Sequence, residues 1–68
     1  MNVKNYPYKA DAYDSFADGL EASKQLNKAL NMRNMAIEKS INENVENNAY
    51  QTRLANLVAL IKENAQSN

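Results

Sequence analysis

Residues 47–66, "NNAYQTRLANLVALIKENAQ", hold the longest uninterrupted helical periodicity in the chain. Tyr50, Leu54, Leu57, Val58, Ile61 and Ala65 recur at the spacing that places side chains on one face of an α-helix. Leu60 widens that arc beyond what one neighbouring helix would cover. The segment just before it, "NENVENN", reads as a turn. Asn tolerates the left-handed conformation that ends helices, so Asn47 is a natural stop for a preceding helix. Asn48 and Gln51 then form a capping box for the next one. The spacing predicts a helix over residues 49–65, and so short a connection predicts an antiparallel partner before it.

Upstream, the expected partner is a helix over residues 19–46. Leu26, Leu30, Ile37, Ile41 and Val45 form one stripe, with Ala22 and Arg33 on the same side. Ala29, Met32 and Ala36 make a shoulder beside it, and Met35 points nearly opposite. This helix is the longer of the two by roughly 15 Å at the helical rise. Its overhang calls for cover, either from the N-terminal segment folding back or from another subunit. Tyr13, Phe16, Ala17 and Leu20 predict a short first helix over residues 11–17, with Asp11 as N-cap. Asp18 and Glu21 repeat the capping-box spacing and Gly19 follows the second cap, so a break or kink is expected there. Residues 1–10 read as an arm, because Pro7 holds Tyr6 away from helical geometry. The fold class is therefore all-α: an antiparallel helical hairpin with a short N-terminal helix or arm, residues 11–66 forming one domain.

Such a chain has little core to spend. Apolar residues make up 44% of the 68, but ten are Ala. A single small core of this size roughly cancels the entropy of ordering the chain. Assembly into a helical homo-oligomer is the expected remedy, through an interface of Leu26, Leu30, Met32, Met35, Ile37, Leu57, Leu60 and Ile61.

Composition also removes chemistries. There is no Cys and no His, so disulfides and the common zinc, haem and iron–sulfur sites are excluded, along with the usual general base and thiol nucleophile. One Gly leaves no phosphate-cradling loop or nucleophile elbow. No enzyme activity, cofactor or metal is expected. Eight acidic and eight basic residues give zero formal net charge, which lacks the field of a duplex-nucleic-acid binder. No apolar run is long enough to cross a membrane, and no apolar leader stands at the N-terminus, so a cytoplasmic location is expected.

Three groups of polar residues carry candidate sites. Asp11, Asp14, Asp18 and Glu21 share one helical face; clustered carboxylates suit a divalent cation, while acids near a helix N-terminus also suit a solvated face. Arg33 sits on an apolar stripe, where its charge needs a carboxylate, a carbonyl or an anionic ligand. Arg53 lies at the edge of the third helix's stripe. If an anion or nucleotide binds, its pocket would combine Arg33 and Arg53 with Tyr6, Tyr8 and Lys9 of the arm at a subunit boundary.

The segments "FADG", "KAL", "AYQTRL" and "NAQSN" resemble, in their order, those of type III secretion needle subunits, with unequal spacing. That resemblance implies a helical hairpin that polymerises. The chain departs from it by having "NENVENN" where those subunits have a proline-bounded turn, and it lacks their further C-terminal helix after Asn68. The leading functional expectation is a small non-enzymatic oligomeric binding protein, in the style of a phage or mobile-element accessory or inhibitor protein acting on another protein. The alternatives are a small-anion or nucleotide sponge, and a structural subunit of a filament or secretion apparatus.

Overall fold

The computed structural model describes residues 8–66, with side chains through Asn64. Tyr6 and the rest of the arm before Tyr8 lie outside the described residues. The fold is all-helical: α1 (Lys9–Ala22), α2 (Leu26–Asn42) and α3 (Asn48–Gln66), with no strand among the described residues.

The first break falls elsewhere than expected. α1 runs through Gly19, which has no positive φ, and ends at Ala22. A turn follows at Ser23–Gln25, where Lys24 takes φ 66°. Lys24 donates its N–H to the Glu21 carbonyl at 3.0 Å, and Gln25 donates to the Leu20 carbonyl at 2.8 Å. That pair of bonds is a Schellman stop, which normally has Gly or Asn at the left-handed position. The helix expected over residues 19–46 is therefore two helices. Its supposed overhang is the second half of α1, and α2 has 17 residues against the 19 of α3.

The second break has the same form. Asn44 at φ 59° donates to the Ile41 carbonyl at 3.2 Å, and Val45 donates to the Ser40 carbonyl at 2.8 Å. Asn44, not Asn47, is the residue that ends α2. Asn47 instead precedes α3, and its side-chain oxygen accepts from the Gln51 amide at 2.6 Å, one position away from the expected Asn48–Gln51 box.

The buried lines also differ from the expected stripes. On α1 the buried residues are Ala10, Asp14, Ala17 and Leu20, while Phe16 is 58% exposed. On α2 they are Ala29, Arg33, Ala36 and Ser40, the line that flanked the large aliphatic stripe. Ala10, Ala17, Ala29 and Ala36 are all fully buried. Small side chains at seven-residue intervals let two helices approach closely, and the larger side chains then pack around the edges. One cluster joins Ala10, Ala36 and Tyr50, with Tyr13 and Ile37 against it. The other joins Leu20, Ala29 and Leu57, with Leu26, Leu30, Met32 and Ile61 against it. Of the residues expected at a subunit interface, Leu57 is buried in the chain's own core, and Leu26, Leu30, Met32, Ile37 and Ile61 pack against it partly buried. Met35 is half-buried and Leu60 is 39% exposed.

Candidate functional site

The polar centre of the molecule grows from two matching rows. Ala10, Asp14, Ala17 and Glu21 on α1 have the same 4-3-4 spacing as Ala29, Arg33, Ala36 and Ser40 on α2. Alanines bring the helices together, and carboxylates then find themselves opposite a guanidinium. Arg33 is 4% exposed and has three acidic partners. It donates from Nη1 to Asp14 Oδ1 at 3.0 Å, from Nη2 to Asp18 Oδ1 at 2.7 Å, and from Nε to Glu21 Oε2 at 2.6 Å. The bond to Asp18, a side chain 61% exposed, adds little because water screens it. The bond to Asp14 is enclosed on both sides.

α3 extends the cluster. Arg53 donates to the second oxygen of Asp14, and the Tyr50 hydroxyl donates to Asp11. Asp14 therefore ties all three helices through its two oxygens. The N-terminus of α1 is held separately. Tyr8, its N-cap residue, makes no side-chain cap bond. Glu43, just beyond α2, supplies the cap instead, accepting from the N–H groups of Lys9 at 2.9 Å and Ala10 at 3.1 Å. A carboxylate there also suits the positive end of the helix dipole.

Burial pushes the Asp14 carboxyl above the usual carboxylate range; Arg53 and Arg33 pull it down, Asp18 and Asp11 push it up, and the rise wins. The sign is that of a carboxyl whose proton is favoured by folding: its contribution to stability is present at low pH and fades as pH rises through the folded value. For Arg33, burial pulls downward, but the hydrogen bonds and charges of Asp18 and Glu21 carry the net shift upward. Tyr50 is pushed up to about 12 by burial, by its bond to Asp11 and by the nearby Asp11 and Asp14 charges.

Of the two functions considered for the acidic face, neither matches this geometry. Asp14 is turned inward onto Arg33 and Arg53, Asp11 accepts from Tyr50 and the Asp18 side chain stays 61% exposed, and no group of three or more potential ligands is placed to hold a metal ion among the described residues. The structure brings Arg33 and Arg53 together on Asp14, as a groove shared by both would require. It surrounds Arg33 with carboxylates where an anion pocket would need open donors. Tyr8 and Lys9 have exposed side chains at the start of α1 and do not join the cluster. Sequence reading missed the Glu43 cap and the Tyr50–Asp11 bond. The pairing of Arg33 with α1 had a signal: two rows of identical spacing, one alternating Ala with acids and the other containing the only buried Arg.

An open groove of about 410 Å³ lies on α1 and α2, lined by Phe16, Leu20, Met32, Gln25, Lys28 and Asn31. Among the described residues no buried side-chain nitrogen or oxygen lacks a hydrogen-bond partner. No helix among them is long and apolar enough to cross a membrane. Comparison with protein-family models, with curated proteins and with solved structures finds no match, so the resemblance to needle subunits gains no support there.

Proposed function

We propose that this chain is a non-enzymatic helical protein that works by association through its outer surface, with self-association as its primary mode. In this reading the helices lie antiparallel in sequence, α1 against α2 and α2 against α3. The pairings favour it: Lys9 and Ala10 reach Glu43 past the far end of α2, while Glu21 near the end of α1 reaches Arg33.

The observation that carries the reading is that large apolar side chains stay outside a core built largely of alanines. Asp14 of α1 is turned inward between Arg33 and Arg53, whereas Phe16, Ile41 and Leu60, one on each helix, stand 58%, 67% and 39% exposed. Phe16 also borders the open groove. Large exposed apolar side chains next to a concavity are what an association surface requires. An anion or nucleotide sponge draws no comparable support, because the donors of Arg33 are engaged by the chain itself.

Sedimentation equilibrium across micromolar to millimolar concentrations tests the proposal. Phe16→Glu is expected to shift the chain toward monomer without lowering its melting temperature, since Phe16 contributes little burial. A wild-type chain that is monomeric throughout that range would remove self-association from the reading.

A further inference from the structure

We infer that α1 exchanges between two copies of this chain: the turn at Ser23–Gln25 straightens, α1 and α2 become one helix, and each α1 docks on its partner's α2 and α3. The partner is thus a second copy, and the inference rests on the self-association proposed above.

The turn is the first argument. Nothing in "LEASKQLNKAL", residues 20–30, breaks a helix: it has no Gly and no Pro, and its residues are fair to good helix formers. Yet the chain reverses there, with Lys at the left-handed position. Gln25 follows as an exposed polar residue, where a Schellman stop usually places an apolar contact. Gln25 is also the N-cap of α2 and makes no side-chain cap bond. Ser23 and Gln25 patch the turn with side-chain bonds, Ser23 Oγ donating to the Gly19 and Leu20 carbonyls and Gln25 Nε2 donating to Ser23 Oγ. In a straight helix Lys24 returns to ordinary geometry, and the end groups of both helices gain regular partners. Local sequence and tertiary path therefore conflict at this one point, which marks it as a hinge.

The interface is the second argument. Every bond described above that holds α1 in place joins it to a residue beyond the hinge: Arg33, Glu43, Tyr50 and Arg53. Ala10 likewise packs against Ala36 and Tyr50, and Leu20 against Ala29 and Leu57. A partner's α1 supplies the same carboxylates and alanines in the same order, so exchange preserves the whole contact set. An opened chain, by contrast, leaves Arg33 without its counter-charges. What exchange must overcome is the entropy of association, which concentration offsets.

The test compares the full-length wild type with Lys24→Gly and Lys24→Asn by sedimentation equilibrium, with circular dichroism to verify folding. Both replacements relieve the left-handed residue in the closed chain, and Gly also disfavours the straight helix. Each dimer contains two hinges, so Lys24→Gly is expected to raise the dimer dissociation constant at least about tenfold, and Lys24→Asn by less. Should Lys24→Gly misfold, Lys24→Asn carries the comparison. A dimer indifferent to both replacements overturns the exchange and leaves surface self-association standing. A wild type monomeric at every concentration overturns both.

Discussion

The two turns of this molecule have the same hydrogen-bond pattern and opposite chemistry. At the second, Asn44 takes the left-handed conformation at low cost, Val45 provides a half-buried apolar follow-on, and Glu46 accepts from the N–H groups of Asn47 and Asn48 at the start of the next helix. At the first, Lys24 and Gln25 occupy the corresponding places with none of those advantages. The second turn is written locally. The first is imposed from a distance, by the Arg33 cluster, the matching alanines and the Glu43 cap. A helix can therefore be tied down by its far contacts when its near connection opposes it.

The comparison breaks most visibly if those far contacts are removed. Arg33→Ala leaves Asp14 enclosed with only Arg53 opposite it, and is expected to cost about 3 kcal/mol or more, read as a drop in urea midpoint and helicity. An unchanged midpoint would mean that the cluster does not hold α1. A pH titration comes next. The Tyr50 phenol is favoured protonated in the folded chain, so its contribution is intact below pH 10 and is lost as pH rises toward about 12. The thermal midpoint should fall over that interval in the wild type and much less in Tyr50→Phe; parallel curves would separate Tyr50 from the alkaline transition.

Smaller effects sharpen the contrast between the turns themselves. Lys24→Gly is expected to stabilise the closed monomer by about 1 kcal/mol, because the left-handed residue no longer clashes. Asn44→Gly should change little, since Asn already accepts that conformation. Equal responses at both sites would erase the distinction. Gly19→Ala should add roughly 0.5–1 kcal/mol: the glycine sits inside α1 without a positive φ, and an added Cβ meets nothing within 4 Å. Melting of the variant at dilute concentration provides the check.

How much of this was legible depended on where the information lay. Tyr50, Leu54, Leu57 and Ile61 announce α3 by their spacing alone, and the asparagines around residue 44 announce a turn, because both signals are local. Arg33 announced that it needed a counter-charge, since a guanidinium on an apolar stripe cannot stay unpaired. Which counter-charge it takes was hidden, for Asp14, Asp18 and Glu21 on their own look like a solvated face. Only when α1 lies along α2 do they become the lining of an interior.

Sequence by itself thus determined the helical class, the exclusion of Cys and His chemistry, the extent of α3 and the demand created by Arg33. Tertiary structure decided that Gly19 lies within a helix, that α1 ends in a turn at Lys24, and that rows of alanine instead of leucine form the seam between α1 and α2. The physical reason is that helix formation reads neighbours within a turn or two, whereas the turn at Lys24 gains its stability from contacts up to 39 residues apart in sequence. No local signal can report a bond made at that distance.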